Sequence, residues 1–170
     1  MSSLFGFPHP VNENSARVVA GGVVTMAAAT ILLDKPAVLV PLTYGFAARV
    51  LTGPKLSPLG QLATRVVTPR IKRPATFSAG PPKRLAQGMG LTMSATALVL
   101  NYGFGRKKAA YAVLGGLIGA ASLEAFFGIC LACKMFPALV KLGLVSESAC
   151  EECANFALRD TNRDLTPPLN

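Results

Sequence analysis

Apolar residues are concentrated in four long stretches of the chain, and polar segments separate them. The stretches cover residues 16–33, 36–52, 85–102 and 109–133. A membrane-spanning helix needs about 20 mostly apolar residues, within a range of about 17–25. The pattern therefore predicts four spans arranged as two helical hairpins. Because the second stretch is short and contains Pro41, a re-entrant or interfacial segment is the alternative there.

The composition indicates a membrane protein and excludes other classes. Of the 170 residues, 51% are hydrophobic and 15% are charged, and the mean hydropathy is +0.45. A soluble domain has about 25% charged residues, and a disordered chain has low hydropathy. Four cysteines are too few for a secreted disulfide scaffold of this length. We therefore expect an all-α integral membrane protein with four transmembrane helices.

The basic residues predict how the helices are oriented. Residues 49–84 carry eight Lys or Arg and no acid, and short loops rich in Lys and Arg lie in the cytoplasm. Three bases, Arg106 to Lys108, do not follow this rule, because the predicted topology places their loop outside the cytoplasm. No Lys or Arg precedes Arg17, so the first stretch is expected to be a retained helix and not a signal peptide. We expect a multi-pass protein of the inner (plasma) membrane with both termini in the cytoplasm.

The loop of residues 53–84 is predicted to lie at the membrane surface. Apolar residues recur at helical spacing from Leu59 to Val66, which favours a short interfacial helix. Three basic residues follow, which we expect to contact anionic lipid headgroups: Arg70, Lys72 and Arg73. Nucleic-acid binding is the alternative for this basic run. Because the orientation rule already accounts for bases beside a span, no nucleic-acid partner is expected.

The cysteines form two pairs with the pattern C-x2-C-x16-C-x2-C: Cys130 and Cys133, then Cys150 and Cys153. This spacing is typical of a four-thiolate metal site. We expect the first pair at the end of the fourth helix, followed by a short helix over 136–143 with Pro137 in its first turn. The second pair is expected in a final helix. Residues 1–143 would form the membrane domain, and 144–170 a cytoplasmic tail that completes a short helical hairpin.

The pKa values of the thiols decide between metal binding and redox chemistry, because the thiolate is both the ligand and the nucleophile. A helix C-terminus at the first pair disfavours its thiolates, and Glu151 and Glu152 disfavour those of the second pair. In a reducing cytoplasm we therefore expect a zinc-binding docking or assembly element for partner proteins. The alternatives are a thiol–disulfide oxidoreductase or sulfur-transfer component with a thioredoxin-like partner or a quinone, an iron centre, and simple packing of the cysteines.

The C-terminal run FFGICLACKMFPALVKLGLVSESACEECANFAL resembles an uncharacterised bacterial family of small membrane proteins, a domain-of-unknown-function family. Its members end their last span in a CLGC-type motif and carry a second CxxC downstream. The stretch AARVLTGPKLSPLGQLATRVVTPR shares the resemblance, and Ala132 stands where the family commonly has Gly. The resemblance implies a multi-span inner-membrane protein. Through the family's association with sulfur and thiol-redox proteins, it also implies redox or sulfur handling, but no established activity.

Glu124 is the only acid within a predicted span, and an ionisable residue there is a functional hypothesis by default. Arg49 lies at a similar predicted depth, so we expect an Arg49–Glu124 ion pair that fixes helix packing. A proton or ligand site is the alternative. Transport is a further alternative, and Glu124 is the only feature that favours it. The predicted spans lack repeats and pairs of broken helices, which argues against a transporter. His9 is the only histidine and lies between two prolines, so haem or histidine-based catalysis has no support.

Overall fold

The structure, a computed structural model, describes residues 11–70, 77–78 and 80–142. The described residues form helices α1 (Glu13–Leu32), α2 (Leu39–Thr52), α3 (Pro58–Gln61), α4 (Gly80–Tyr102), α5 (Lys107–Ser122) and α6 (Leu131–Lys141), and strands β1 (Val11–Asn12) and β2 (Phe77–Ser78). π-Helical turns continue two of the helices: Leu62–Val67 follows α3, and Leu123–Phe127 follows α5. The predicted all-helical architecture is thus confirmed for the described residues, apart from the short β1–β2 pair.

Four helices form a bundle whose members alternate in direction. α4 packs between α2 and α5, and α5 also packs on α1. The buried core is made of small and branched apolar residues from these helices: Val23, Ala27, Leu39, Leu42, Phe46, Ala97, Ala110, Leu114 and Leu117. The alternation brings the start of α1, the end of α2, the start of α4 and the end of α5 to one end of the bundle, which also holds α6.

Two helical segments of the described chain are long and apolar enough to cross a membrane. They are Glu13–Leu32, with a mean hydropathy of 1.6, and Lys107–Phe127, with a mean hydropathy of 1.5. α2 has only 14 residues, and α4 has 23 residues but is less apolar. Large apolar side chains are exposed around the bundle, among them Leu32, Val40, Leu51, Phe104 and Phe126. Such an apolar exterior is typical of surfaces that contact lipid or a partner protein.

The predicted fourth span, residues 109–133, is wrong at its C-terminal end. The helix ends at Phe127, because Gly128 adopts a left-handed conformation with φ of 68°. Its N–H donates to the carbonyl of Glu124 at 3.0 Å, which is the usual hydrogen bond of a left-handed helix end. A Cβ at position 128 would overlap the guanidinium end of Arg17, a flexible side chain that can move away. Glycine is therefore favoured here by its left-handed backbone conformation.

The helix that follows differs from the predicted helix over 136–143. α6 begins at Leu131 and contains Pro137 in its interior instead of its first turn. The interior proline has no N–H, so the carbonyl of Cys133 loses its usual helical partner. The predicted cytoplasmic tail, residues 144–170, lies outside the described residues.

The segment between α2 and α4 contains the predicted short helix. α3 and its π-helical turn run from Pro58 to Val67, whereas α4 begins at Gly80, before the predicted residue 85. Strands β1 and β2 pair antiparallel and connect the chain before α1 to the chain before α4. The expected headgroup contacts remain predictions, and Lys72 and Arg73 lie outside the described residues.

At the opposite end of the bundle, Asp34 connects the turn after α1 to α5. Its carboxylate accepts hydrogen bonds from Lys107 Nζ and Tyr111 Oη, each at 2.5 Å. The hydrogen bond from Lys107, followed by that from Tyr111, holds the pKa of the Asp34 carboxyl below its ordinary value. One of the three bases that formed the exception to the orientation rule is therefore paired with an acid.

Candidate functional site

Cys130 is the N-cap residue of α6. It directly precedes Leu131, and its carbonyl accepts the first helical hydrogen bond, from the N–H of Lys134 at 3.2 Å. Cys133 follows in the first turn of the same helix. The expectation that this pair lies at a helix C-terminus is thus wrong. The positive end of the α6 dipole faces Cys130 and favours its thiolate instead of disfavouring it. Burial of Cys130 in apolar surroundings acts in the opposite direction.

A small cavity borders Cys130, which is 7% exposed. The cavity, which we call the thiol cavity, has a volume of about 80 Å³. Apolar residues of α1, α2, α4, α5 and α6 form most of its wall, and the polar groups at its edge are Cys130, Glu124 and the Gln87 amide. The thiol therefore borders the same cavity as a carboxylate and an amide, in largely apolar surroundings.

Glu124 forms an ion pair with Lys83 and not with Arg49. Lys83 Nζ lies 2.6 Å from Glu124 Oε1, and the two side chains are 6% and 15% exposed. The predicted Arg49–Glu124 pair is therefore corrected to Lys83–Glu124. Lys83 belongs to the first turn of α4, so the ion pair joins α4 to the end of the Lys107–Phe127 helical segment.

Arg49 is buried among neutral partners. It is only 4% exposed, its Nε donates to Gln87 Oε1 at 2.7 Å, and its Nη1 donates to Ser57 Oγ at 3.0 Å. The guanidinium carbon lies 4.6 Å from the centre of the Phe46 ring, within cation–π distance. Its remaining nitrogen, Nη2, is buried without a hydrogen-bond partner among the described residues. Leaving such a charged donor unsatisfied is costly.

A second, larger cavity lies beside Arg49, and we call it the arginine cavity. It has a volume of about 230 Å³ and is bordered by six polar residues: Asn12, Ser15, Arg49, Thr64, Lys83 and Gln87. Gln87 borders both cavities. Glu124 borders the thiol cavity, and Lys83 borders the arginine cavity. The Gln87 amide and the ion pair therefore link the thiol cavity to the arginine cavity.

The structure describes only part of the predicted four-cysteine site. Cys130 and Cys133 begin one helix, as two ligands of a metal site with CxxC spacing could. Cys150 and Cys153 lie outside the described residues. Among the described residues, no three of the residue types His, Cys, Asp and Glu are grouped so that they could hold a metal ion. Four-thiolate zinc binding therefore stays a prediction.

Sequence reasoning missed Lys83 and Gln87, the partners of Glu124 and Arg49. Lys83 precedes the predicted third span and falls in the predicted loop, although it is helical. Gln87 is a strongly polar residue inside the predicted span, and that signal could have identified it. The glycine after the apolar Phe126–Phe127 pair was likewise a helix-end signal.

Comparison with known proteins gives a match to a domain family but to no individual protein. One family model matches residues 11–141, well over half of the chain. The chain belongs to the DUF4395 family, a domain of unknown function. The expected membership of an uncharacterised family is thus confirmed, and the DUF4395 match includes Cys130 and Cys133 but ends before Cys150. Neither the curated proteins nor the solved structures contain a match.

Proposed function

We propose that this DUF4395 protein is a membrane thiol–disulfide oxidoreductase whose reactive pair is Cys130 and Cys133. The observation that carries the proposal is the position of Cys130 at the N-cap of α6, with Cys133 three residues later. A helix N-terminus lowers the pKa of a thiol and makes it a better nucleophile near neutral pH. The position of Cys130 is the reason why we propose redox chemistry, whereas the sequence alone favoured a zinc site.

The proposal includes a bundle of four spans with the thiol pair on the cytoplasmic side. The two helical segments long and apolar enough to cross a membrane support a membrane location. Cys130 lies at the same end of the bundle as Arg49 and Lys83, which belong to the basic segment 49–84. The positive-inside rule assigns this end to the cytoplasm, where a reducing environment keeps the resting pair as two thiols.

The proposed reaction is an exchange of two electrons with a disulfide of a partner protein. The Cys130 thiolate attacks one sulfur of the partner's disulfide, which gives a mixed disulfide and releases one partner thiolate. The Cys133 thiolate then attacks the Cys130 sulfur, which forms the Cys130–Cys133 disulfide and releases the second thiolate. Protons lost by the two cysteines are taken up by the partner thiolates, so the partner is reduced and the CxxC pair is oxidised.

Residues around Cys130 support its role as the attacking thiol. Glu124 borders the same cavity, and its ion pair with Lys83 compensates the charge of the carboxylate, which would otherwise oppose the thiolate. Arg17 lies against Gly128, two residues before Cys130, and places a positive charge near the start of α6. A dithiol such as Cys150 and Cys153, or a thioredoxin-like partner, would return the pair to its reduced state.

A zinc-binding assembly element is the second candidate. The observation in its favour is the spacing C-x2-C-x16-C-x2-C, which is typical of structural zinc sites. Zinc binding would use all four thiolates as ligands of one metal ion at about 2.3 Å. Such a site would leave no thiolate for disulfide exchange, so the two candidates predict opposite thiol reactivity.

The experiment that tests the proposal measures the thiol pKa of each cysteine in the reduced, detergent-purified protein. Alkylation by iodoacetamide is followed against pH, and mass spectrometry separates the four cysteines. We expect Cys130 to react with a pH midpoint below the ordinary value of about 8.5. Cys150 and Cys153 are the internal comparison. A Cys130 midpoint at or above about 8.5 would contradict the proposal.

A further inference from the structure

We propose that the arginine cavity binds a tetrahedral oxyanion of the phosphate or sulfate class, with Arg49 as the main ligand. This site is separate from the thiol chemistry and does not depend on it. The observation behind the proposal is the buried guanidinium of Arg49, which has an unsatisfied Nη2 and belongs to a residue that lines a cavity of about 230 Å³.

The charge around the arginine cavity favours an anion. Its lining includes two cations, Arg49 and Lys83, and no acidic residue. Lys83 is compensated by Glu124, but the partners of Arg49 are the neutral side chains of Gln87 and Ser57. A cation with so little exposure is stable only when an opposite charge or strong hydrogen bonds compensate it. A bound anion would supply the missing charge.

The lining of the arginine cavity distinguishes it from a third cavity that Arg49 also borders. Nε donates to Gln87, which borders the arginine cavity, whereas Nη1 donates to Ser57, which borders the third cavity. In the planar guanidinium, Nη2 lies on the side of the Nε–H. The third cavity has a volume of about 130 Å³, and Arg49 is the only cation in its lining. The arginine cavity has Lys83 as a second cation, so it is the better candidate for an anion.

The remaining lining and the volume suit a small oxyanion. The Ser15 hydroxyl borders the cavity and can donate to an oxyanion while it accepts a hydrogen bond from the Thr68 hydroxyl, 2.8 Å away. Thr64 also borders the cavity, but its hydroxyl donates to the Gly60 carbonyl at 2.8 Å. The cavity is below the range of about 300–1,000 Å³ that holds a drug-sized ligand, but it can hold several water-sized groups. The oxyanion could be free phosphate or sulfate, or the phosphate of an anionic lipid, because the cavity lies at the end of the bundle proposed to face the cytoplasm.

Isothermal titration calorimetry on the full-length protein in neutral detergent tests the proposal. Inorganic phosphate and sulfate are the free probes, with chloride at equal ionic strength as the reference. Native mass spectrometry with added phosphatidylglycerol, compared with phosphatidylcholine, tests the lipid source. We expect saturable oxyanion binding, or selective retention of phosphatidylglycerol, and a loss of about 10- to 100-fold in affinity for R49Q.

Two further variants make the result specific. R65Q removes an exposed arginine that does not border the cavity, and we expect it to bind like the original protein. T64M keeps Arg49 but extends an apolar side chain into the cavity, and we expect it to lose binding even if R49Q fails to fold. Binding of phosphate or sulfate supports a free oxyanion, and retention of phosphatidylglycerol alone supports a lipid headgroup. No binding by either route, or equal binding in T64M and the original protein, would overturn the proposal.

Discussion

Lys83 and Glu124 form a buried ion pair, with Nζ and Oε1 2.6 Å apart, at the boundary between two cavities. Glu124 borders the cavity of Cys130, and Lys83 borders the cavity of Arg49. The contact therefore stabilises the packing of α4 on the Lys107–Phe127 helical segment and fixes the carboxylate at the wall of the thiol cavity. Loss of Lys83 would leave the largely buried carboxylate of Glu124 without its ion-pair partner.

Replacing Lys83 by Met should lower the free energy of unfolding by about 3–5 kcal/mol, because the largely buried carboxylate of Glu124 loses its ion-pair partner. The double variant K83M/E124L should recover most of this loss, because an apolar pair of similar volume replaces both charges. Thermal unfolding in detergent, followed by circular dichroism, measures both effects. If the costs of the two single variants simply add in the double variant, the ion pair contributes no coupling and the account of this contact is wrong.

Gly128→Ala should cost about as much stability as Gly105→Ala. Both glycines have positive φ, 68° and 63°, and this conformation costs an alanine about 1–2 kcal/mol. A Cβ at Gly105 meets open space, and one at Gly128 meets only the guanidinium end of Arg17, a flexible side chain that can move away. Thermal unfolding followed by circular dichroism measures both variants, and a much larger loss for G128A would contradict this expectation. G128A should also raise the alkylation midpoint of Cys130, because it disturbs the start of α6.

The contact of Asp34 with α5 should make stability fall at acid pH. Hydrogen bonds from Lys107 and Tyr111 lower the pKa of Asp34 in the folded protein. The stabilisation is therefore fully present above the ordinary Asp pKa of about 3.9 and is lost as the pH falls through the lowered value. The unfolding midpoint of D34N should lie below that of the original protein at pH 6 and approach it below about pH 4. A difference that does not change with pH would contradict this assignment.

Labelling from the two sides of the membrane should distinguish the ends of the bundle. In a variant without native cysteines, F104C lies in the exposed turn between α4 and α5, and R65C lies in the basic segment. A membrane-impermeant maleimide should label F104C in intact spheroplasts and R65C only after permeabilisation, as the positive-inside rule requires. The reverse pattern would place Cys130 in an oxidising compartment and contradict the proposed reducing role.

The hydropathy pattern predicted the helices well but not the point where the last one ends. The first stretch, 16–33, matches α1 closely because its polar limits are clear. Gly128 gave a weaker signal, since glycine is common inside membrane helices. Its left-handed conformation is accompanied by a tertiary contact with Arg17, which no local pattern shows. Because the helix ends at Gly128, Cys130 lies at the N-terminus of α6 and not at the C-terminus of the preceding helix. The effect of the helix dipole on its thiolate is therefore the reverse of the expected one.

Depth along the helices was not enough to predict the partners of Arg49 and Glu124. Both residues lie near the same end of the bundle, as expected, but α4 packs between α2 and α5. Each charge therefore meets a residue of α4, Gln87 for Arg49 and Lys83 for Glu124. The order of helices around a bundle depends on long-range packing, and the sequence does not specify it through hydropathy alone.

The most direct test of the proposed function is a redox titration of Cys130 and Cys133 in the C150S/C153S variant, combined with metal analysis of the original protein. In glutathione buffers of graded potential, the pair should form one intramolecular disulfide reversibly, with a tenfold change in the oxidised-to-reduced ratio per about 30 mV. The original protein, purified anaerobically, should contain no stoichiometric zinc. One zinc per chain, with thiols that react only after chelation and no reversible Cys130–Cys133 disulfide, would contradict the proposal and establish the four-cysteine metal site.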